Sequence, residues 1–325
     1  MELPCVRVRP EEGEATRQAL SAVGLLDGDY EITVEDGWLY IPVTDADADA
    51  LASHTVVERE VDAREEQTLP ADLLGEAPSY ERIGDLAIVD VDDPARAREV
   101  ADAIVDSDLP VDSVIDRDSK VKGDLRVRDW NVLAGGTRTV HREYGFEYAV
   151  DLATVYFTPR LATERHRVAE QVETGERALD MFAGVGPFVI PFAAAGAEVV
   201  GADLNPAAVE LIQENARRNG VADRVTAIQG DVREVEGYDD WADRLVMNLP
   251  HSADEFLETA VRLAGEDCVL HYYDIQGEDD PFGPGERAIR AAAEPAYEVT
   301  VETCRRVRSY APGEQNVCLD VRLRR

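Results

Sequence analysis

The chain alternates short apolar runs with polar punctuation, and the rhythm of that alternation lengthens near residue 151. Before that point the runs are short. They predict a small α/β unit with a strand over residues 5–8, a helix over 12–23, and strands over 30–34 and 38–43 joined by the turn Glu35-Asp36-Gly37. Residues 46–80 are acidic and alanine-rich with weak periodicity, which predicts a linker with local helix. A second unit begins at residue 81. It comprises a strand in GDLAIVDV, a helix over 94–105 with Pro94 in its first turn, and strands over 113–115, 124–132, 137–143 and 148–150, interrupted by Gly135-Gly136. These read as one short antiparallel sheet with a helix.

From residue 151 strands and helices alternate at longer spacing. A helix is predicted over 161–173, strands over 178–181, 198–202, 225–229, 245–247 and 269–273, and helices starting near Pro187, Pro206 and Ala253. Two late strands, 297–307 and 316–323, read as a hairpin closing the sheet edge. Parallel strands with helical crossovers make a doubly wound, Rossmann-like α/β domain. The predicted organisation is therefore two small α/β or α+β domains, 1–45 and 81–150, separated by the 46–80 linker and followed by an α/β domain over 151–325.

Composition adds a conflict. The 325 residues are 45% apolar, enough for several cores, but 33 basic residues face 67 acidic ones, a formal charge of −34. That balance ordinarily argues against a polyanionic partner. Here the acids are spread over every region and the only lysines are Lys120 and Lys122. This is the composition of a protein adapted to very high salt, where dispersed carboxylates keep the surface hydrated and screening shrinks their repulsion. Cys5, Cys268, Cys304 and Cys318 form no C-x-x-C pair, which predicts reduced thiols and no metal site, with Cys304 and Cys318 packed together across the hairpin. With no apolar signal core and no membrane-length stretch, the expected setting is the cytoplasm, without a membrane partner.

The chemistry concentrates at four strand ends. In ALDMFAGVGPF the strand breaks at Asp180 into a turn carrying Gly184 and Gly186, the place where an α/β sheet binds a nucleoside. A dinucleotide fingerprint requires a third glycine, where this chain has Val189. S-adenosylmethionine has no phosphate, so its turn needs only close backbone approach. Asp203 is positioned to accept both ribose hydroxyls, and Asp231 to accept from the adenine amino group while the Val232 amide donates to the ring. At the next strand end, Asn248-Leu249-Pro250 offers an amide and carbonyls to a planar N–H group of a substrate.

Basic residues cluster between 117 and 142: Arg117, Lys120, Lys122, Arg126, Arg128, Arg138 and Arg142, against Asp118, Asp124 and Asp129. A net +4 patch in so acidic a chain points to nucleic-acid phosphate. In VYFTPR, Arg160 is positioned for a phosphate and Tyr156 or Phe157 for stacking on a base. Glu164, flanked by arginines, is either a structural ion pair or a catalytic carboxylate.

Together KVKGDLRVRDWNVLAGG, TRTVHREYGFEYAVD, VYFTPRLATER, DMFAGVGPF, ADLNPAAVELIQENARRN, GDVRE, MNLP and HYYDIQ resemble the archaeal and eukaryotic tRNA (guanine-37-N1)-methyltransferase family, from about residue 83 to the end, and more loosely over the first 45 residues. The resemblance implies methyl transfer from S-adenosyl-L-methionine to N1 of the guanine 3′ of the anticodon in tRNA. It implies Glu164 as general base, Asn248 and Pro250 as grips on the base, and Arg126 rather than Arg128 on the guanine oxygen. It places Arg165, Asp203, Leu204, Asp231, Val232 and Asn248 around the cofactor. The expected enzyme is a monomer with no obligate protein partner. The rival readings are aminocarboxypropyl transfer in wyosine-type tRNA modification, methylation of a wyosine intermediate, a NAD-dependent oxidoreductase and a non-enzymatic RNA-binding protein.

Overall fold

The computed structural model describes residues 1–64, 67–119, 123 and 127–325. It divides into two compact units, Met1–Thr68 and Leu69–Arg325.

In the first unit, β1 (Glu2–Val8), α1 (Gly13–Ala22), β2 (Thr33–Glu35), β3 (Trp38–Pro42) and β4 (Thr55–Glu60) build an antiparallel sheet of order β2-β3-β1-β4. Asp36 and Gly37 both take positive φ, and Glu35 pairs with Trp38, so a two-residue turn joins β2 to β3. Val6, Val8 and Ile41 bury against Leu20 of α1 and Leu51. The pattern at 46–80 predicted a linker, yet β4 lies within it and pairs along β1. An edge strand with one wet face shows little apolar alternation, which is why its sequence looked unstructured.

The second unit opens with α2 (Pro70–Leu74), β5 (Glu81–Ile83), β6 (Leu86–Val89), α3 (Pro94–Val105), β7 (Ser113–Arg117) and β8 (Trp130–Ala134). Asp93 caps α3, accepting from the Ala95 amide at 2.8 Å. The sheet order is β5-β6-β7-β8, with β6 and β7 parallel across α3. The hairpin β9 (Arg138–Glu143) and β10 (Phe146–Asp151) does not join it, in contrast to the single sheet the pattern predicted.

The remaining elements are α4 (Ala162–Ala169), β11 (Arg177–Asp180), α5 (Val189–Ala195), β12 (Glu198–Asp203), α6 (Pro206–Arg218), β13 (Val225–Gln229), β14 (Ala242–Met247), α7 (Leu257–Leu263), β15 (Ala264–Gly277), α8 (Gly283–Ala293), β16 (Glu298–Ala311) and β17 (Glu314–Arg324). The β9–β10 hairpin docks on α6 through two asparagine amides. Asn215 accepts from the Ala149 amide at 2.7 Å and donates to its carbonyl at 3.2 Å, and Asn219 does the same for Glu147 at 2.9 and 2.7 Å. Side-chain amides thus substitute for a neighbouring strand.

Among the described residues, β11 to β17 form a seven-stranded sheet of order β13-β12-β11-β14-β15-β17-β16. The first five strands run parallel and the terminal hairpin is antiparallel. The strand order reverses at β11, with β12 on one side and β14 on the other, leaving a crevice above their carboxyl ends. Within the hairpin Cys304 pairs with Leu319 and Cys318 with Arg305. That register puts the two thiols on opposite faces, Cys318 buried and Cys304 exposed, so they do not pack together as expected.

Candidate active site

The crevice is a cleft of about 660 Å³, lined by residues at the carboxyl ends of four parallel strands: Asp180 ending β11, Asp203 ending β12 with Leu204 after it, Asp231 and Val232 beyond β13, and Asn248, Leu249 and Pro250 after β14. The turn after Asp180 passes through Gly184 at φ 53° and Gly186 at φ 89°. A Cβ is strained at such angles, and at Gly184 it would project into open space. Bare backbone therefore faces the cleft.

Asp203 anchors this turn. Its carboxylate accepts the Gly184 amide at 2.7 Å on one oxygen and the Asn205 amide at 2.9 Å on the other, leaving further lone pairs for a ligand. Burial pushes its pKa up. Asp180 is more enclosed, 1% exposed, and accepts the Phe182 amide at 3.1 Å. Burial, opposed by that amide and reinforced by Asp203, pushes its pKa up to about 7.

Asp231 lines the cleft with a local partner. It accepts the Arg233 amide at 2.9 Å, and the Arg233 guanidinium engages both its oxygens, holding the carboxyl below its usual range. The pair is local and solvent-facing, so its net stabilisation is small. Val232 is buried, Leu204 is exposed, and Phe182 meets Phe256 edge-on at 4.9 Å across the apolar wall. The Pro250 carbonyl accepts from the Ile275 amide at 3.2 Å, tying the exit of β14 to β15.

Glu164 is not brought to the cleft. Its neighbours Leu161 and Arg165 line the cavity, but Glu164 does not. It is 3% exposed, with one carboxylate oxygen accepting from Arg167 at 2.7 Å and the Tyr273 hydroxyl at 3.1 Å. The other oxygen faces Arg167 and Arg305, each at 3.0 Å. A carboxylate buried this deeply needs counter-charge on every side.

Arg165 lines the cleft, yet its guanidinium is committed to Glu143 and to the Thr158 carbonyl at 3.1 Å. Tyr156 is exposed on the cleft wall. Arg160 pairs with Glu81, and Arg142 with Glu147 at 2.7 Å on the exposed face of β9, away from the cavity lining. Lys120, Lys122 and Arg126 lie outside the described residues.

The sequence reading missed a wall of the cleft. Arg308 and Tyr310 of β16 and Asn316 of β17 line it, and His251 meets the Tyr310 hydroxyl at 3.1 Å. The run RRVRSY carries the signal, since three arginines in four residues are unusual in so acidic a chain. Elsewhere, His271, Cys318 and Asp320 cluster in the interior. Asp320 is already bound by Arg167 at 2.6 Å and His271 at 2.6 Å, so the cluster is a paired polar core.

Comparison with known proteins adds sequence-wide likeness. Residues 5–51 match the tRNA methyltransferase 5 N-terminal domain, 65–139 the TYW2 N-terminal domain, and 139–302 the TRM5/TYW2 methyltransferase domain. The chain is 39% identical to the tRNA (guanine(37)-N(1))-methyltransferase Trm5b of Pyrococcus abyssi, over 98% of each chain. It is 32% identical to the tRNA(Phe) (4-demethylwyosine(37)-C(7)) aminocarboxypropyltransferase of Pyrococcus horikoshii, covering 78% of this chain and 93% of that one. Among solved structures, aTrm5 in complex with tRNALeu superposes with a TM-score of 0.70 at 33% identity, covering 98% of this chain and 99% of the other.

Proposed function

The chain belongs to the TRM5/TYW2 methyltransferase family, and from that premise we propose how its cleft performs S-adenosylmethionine-dependent methylation of N1 of guanine 37 in tRNA. The observation that carries this reading is the convergence of Asp180, Asp203, Asp231 and Asn248 on one cavity at the switch point of the sheet. Likeness to the methyltransferase runs the length of the chain, whereas likeness to the aminocarboxypropyltransferase covers 78% of it.

The residues present fit the cofactor. The open space over Gly184 admits a ligand against backbone, Asp203 retains acceptor capacity for hydroxyls, and Phe182, Phe256 and Val232 offer apolar walls to a planar ring. Asp180 sets a buried carboxyl near the position a cationic ligand would take. When bound, S-adenosylmethionine supplies an electrophilic methyl group on a sulfonium. Asp231 would receive the adenine amino group once Arg233 swings into solvent.

The chain's own task is to present guanine and take its proton. Asn248 and the Pro250 region grip the Watson–Crick edge of an unstacked base, and Tyr156 stacks beside it. Arg126 stabilises the charge that develops on the guanine oxygen. Glu164, outside the cleft lining in this structure, accepts the N1 proton once Arg305, the half-exposed member of its shell, withdraws and the carboxylate turns toward the base. Arg167 then remains compensated by Asp320, so neutralising Glu164 strands no buried cation. Residues 81–150, with Arg142, Arg160, Lys120 and Lys122, would carry the RNA, in a monomeric, cytoplasmic, salt-adapted enzyme. No helix among the described residues is long and apolar enough to cross a membrane.

Nucleoside mass spectrometry of tRNA treated with methyl-labelled cofactor tests the reaction. Labelled 1-methylguanosine at position 37 is expected; arrival of the aminocarboxypropyl carbons without the methyl label would establish the rival chemistry. For the base, Glu164→Gln should lower the single-turnover rate by about 10²–10⁴-fold with cofactor affinity unchanged. An unaltered rate removes Glu164 from the mechanism.

A further inference from the structure

Beside the cleft lies a smaller recess of about 110 Å³ that shares Tyr156 and Arg308 with it. On this measure a single water needs about 10–15 Å³, so the recess has room for a small polar group. Its lining is strongly cationic for a chain with a formal charge of −34: Arg117, Arg128, Arg160 and Arg308 face a single carboxylate, Glu81. Glu81 is shared, accepting from Arg117 at 2.9 Å and from Arg160 at 3.0 Å.

That leaves two guanidiniums. Among the described residues neither Arg128 nor Arg308 has a carboxylate partner, although nearly every other buried or half-buried arginine around them does. The Nε of Arg308 is buried without any hydrogen-bond partner. Arg128 lies over the Trp130 ring, 5.2 Å from its centroid, and burial together with nearby Arg117 pushes its pKa below the ordinary value. A buried donor left unmet is costly, and like charges brought together are costlier, so the arrangement is one that an anion completes.

We propose that Arg308 and Arg128 form a phosphodiester-binding subsite that holds the RNA backbone next to the nucleotide extruded into the cleft. This rests on the reading of tRNA as substrate. The geometry also explains how an acidic protein grips RNA: the guanidiniums sit in a recess, shielded from the surface carboxylates, where a planar fork matches phosphate oxygens. It gives the terminal hairpin a part in substrate recognition through the side chain that β16 sends to the border of both cavities.

The test uses the full-length protein with an unmodified tRNA transcript. Affinities of wild type and Arg308→Gln are measured for S-adenosylmethionine by calorimetry and for tRNA by equilibrium binding over a salt series. The variant should bind tRNA about tenfold more weakly, with a shallower salt dependence by roughly 0.7 in log–log slope, and bind the cofactor as wild type does. Arg308→Lys should recover part of the loss, which excludes a folding defect, as should an unchanged melting temperature. A transcript with one methylphosphonate linkage beside guanine 37 should weaken wild-type binding and leave Arg308→Gln unaffected, because the two changes remove the same contact. Loss of cofactor affinity in place of tRNA affinity would assign the recess to the cofactor carboxylate and overturn the proposal. Additive losses at every linkage flanking guanine 37 would overturn it as well. Because the readout is binding, failure of wild type to form 1-methylguanosine would refute the functional reading separately.

Discussion

At the scale of the residue, Asp180 and Asp203 are two carboxyls on adjacent strand ends with distinct tasks. Asp203 spends one lone pair of each oxygen on the Gly184 and Asn205 amides and faces the cleft with the rest. Its replacement by alanine should weaken cofactor binding by about 1.5–3 kcal/mol, the range for hydrogen bonds to a charged group; equal affinity by calorimetry removes the ribose assignment. Asp180 makes pH the informative variable. Its pKa of about 7 lies above the unfolded value of about 3.9, so its contribution to stability is complete below that unfolded value and is lost as pH rises through 7. A cationic ligand reverses the preference by favouring the carboxylate. Cofactor affinity should therefore rise as pH passes through about 7, and Asp180→Asn should flatten this rise in a calorimetric series from pH 5.5 to 8.5.

At the scale of the element, α4, β14, β15 and β17 are joined by a buried chain of polar groups. Glu164 is held by Arg167, Arg167 by Asp320, Asp320 by His271 at 2.6 Å, His271 by Arg244 at 2.7 Å, and Arg244 by Glu176 at 3.0 Å. A guanidinium can only donate, so the His271 Nε2 facing Arg244 is the acceptor and the proton sits on Nδ1, toward Asp320. Burial opposes ionisation of Asp320, but hydrogen bonds from His271 and Arg167 hold its carboxyl well below the usual range. Its depressed folded pKa means that the stabilisation is present above about 3.9 and is lost as pH falls below it. Asp320→Ala leaves the His271 Nδ1–H without its acceptor and Arg167 with Glu164 alone, and should cost about 1–3 kcal/mol in urea denaturation. A cost under about 1 kcal/mol would show that the chain of pairs is dispensable.

At the scale of the whole molecule, the surplus of acids over bases makes ionic strength a determinant of stability. The Debye length falls from about 10 Å at 0.1 M to about 3 Å at 1 M salt, so repulsion among dispersed carboxylates weakens steeply across that range. The melting temperature should rise continuously with potassium chloride; a flat response by calorimetry removes the salt-adapted reading. Arg308 and Arg128 show how RNA binding coexists with this charge. Recessed guanidiniums act at contact distance on the phosphate, while long-range attraction contributes little.

Wherever the information was periodic or local, the sequence by itself determined the outcome. The alternation of apolar strands and amphipathic helices after residue 151 specifies a parallel sheet, and Asp180, Gly184, Asp203 and Asn248 fall at its strand ends because the chemistry follows the punctuation. Side-chain direction and long-range pairing were decided by tertiary structure alone. Glu164 turns from the cleft to Arg167, Arg305 and Tyr273, β4 closes a sheet from within a stretch that looks like linker, and a hairpin far along the chain delivers Arg308 to the cavity. A one-residue change of strand register exchanges every face, and a buried charge goes where its counter-charges lie, so neither can be read from neighbours in sequence.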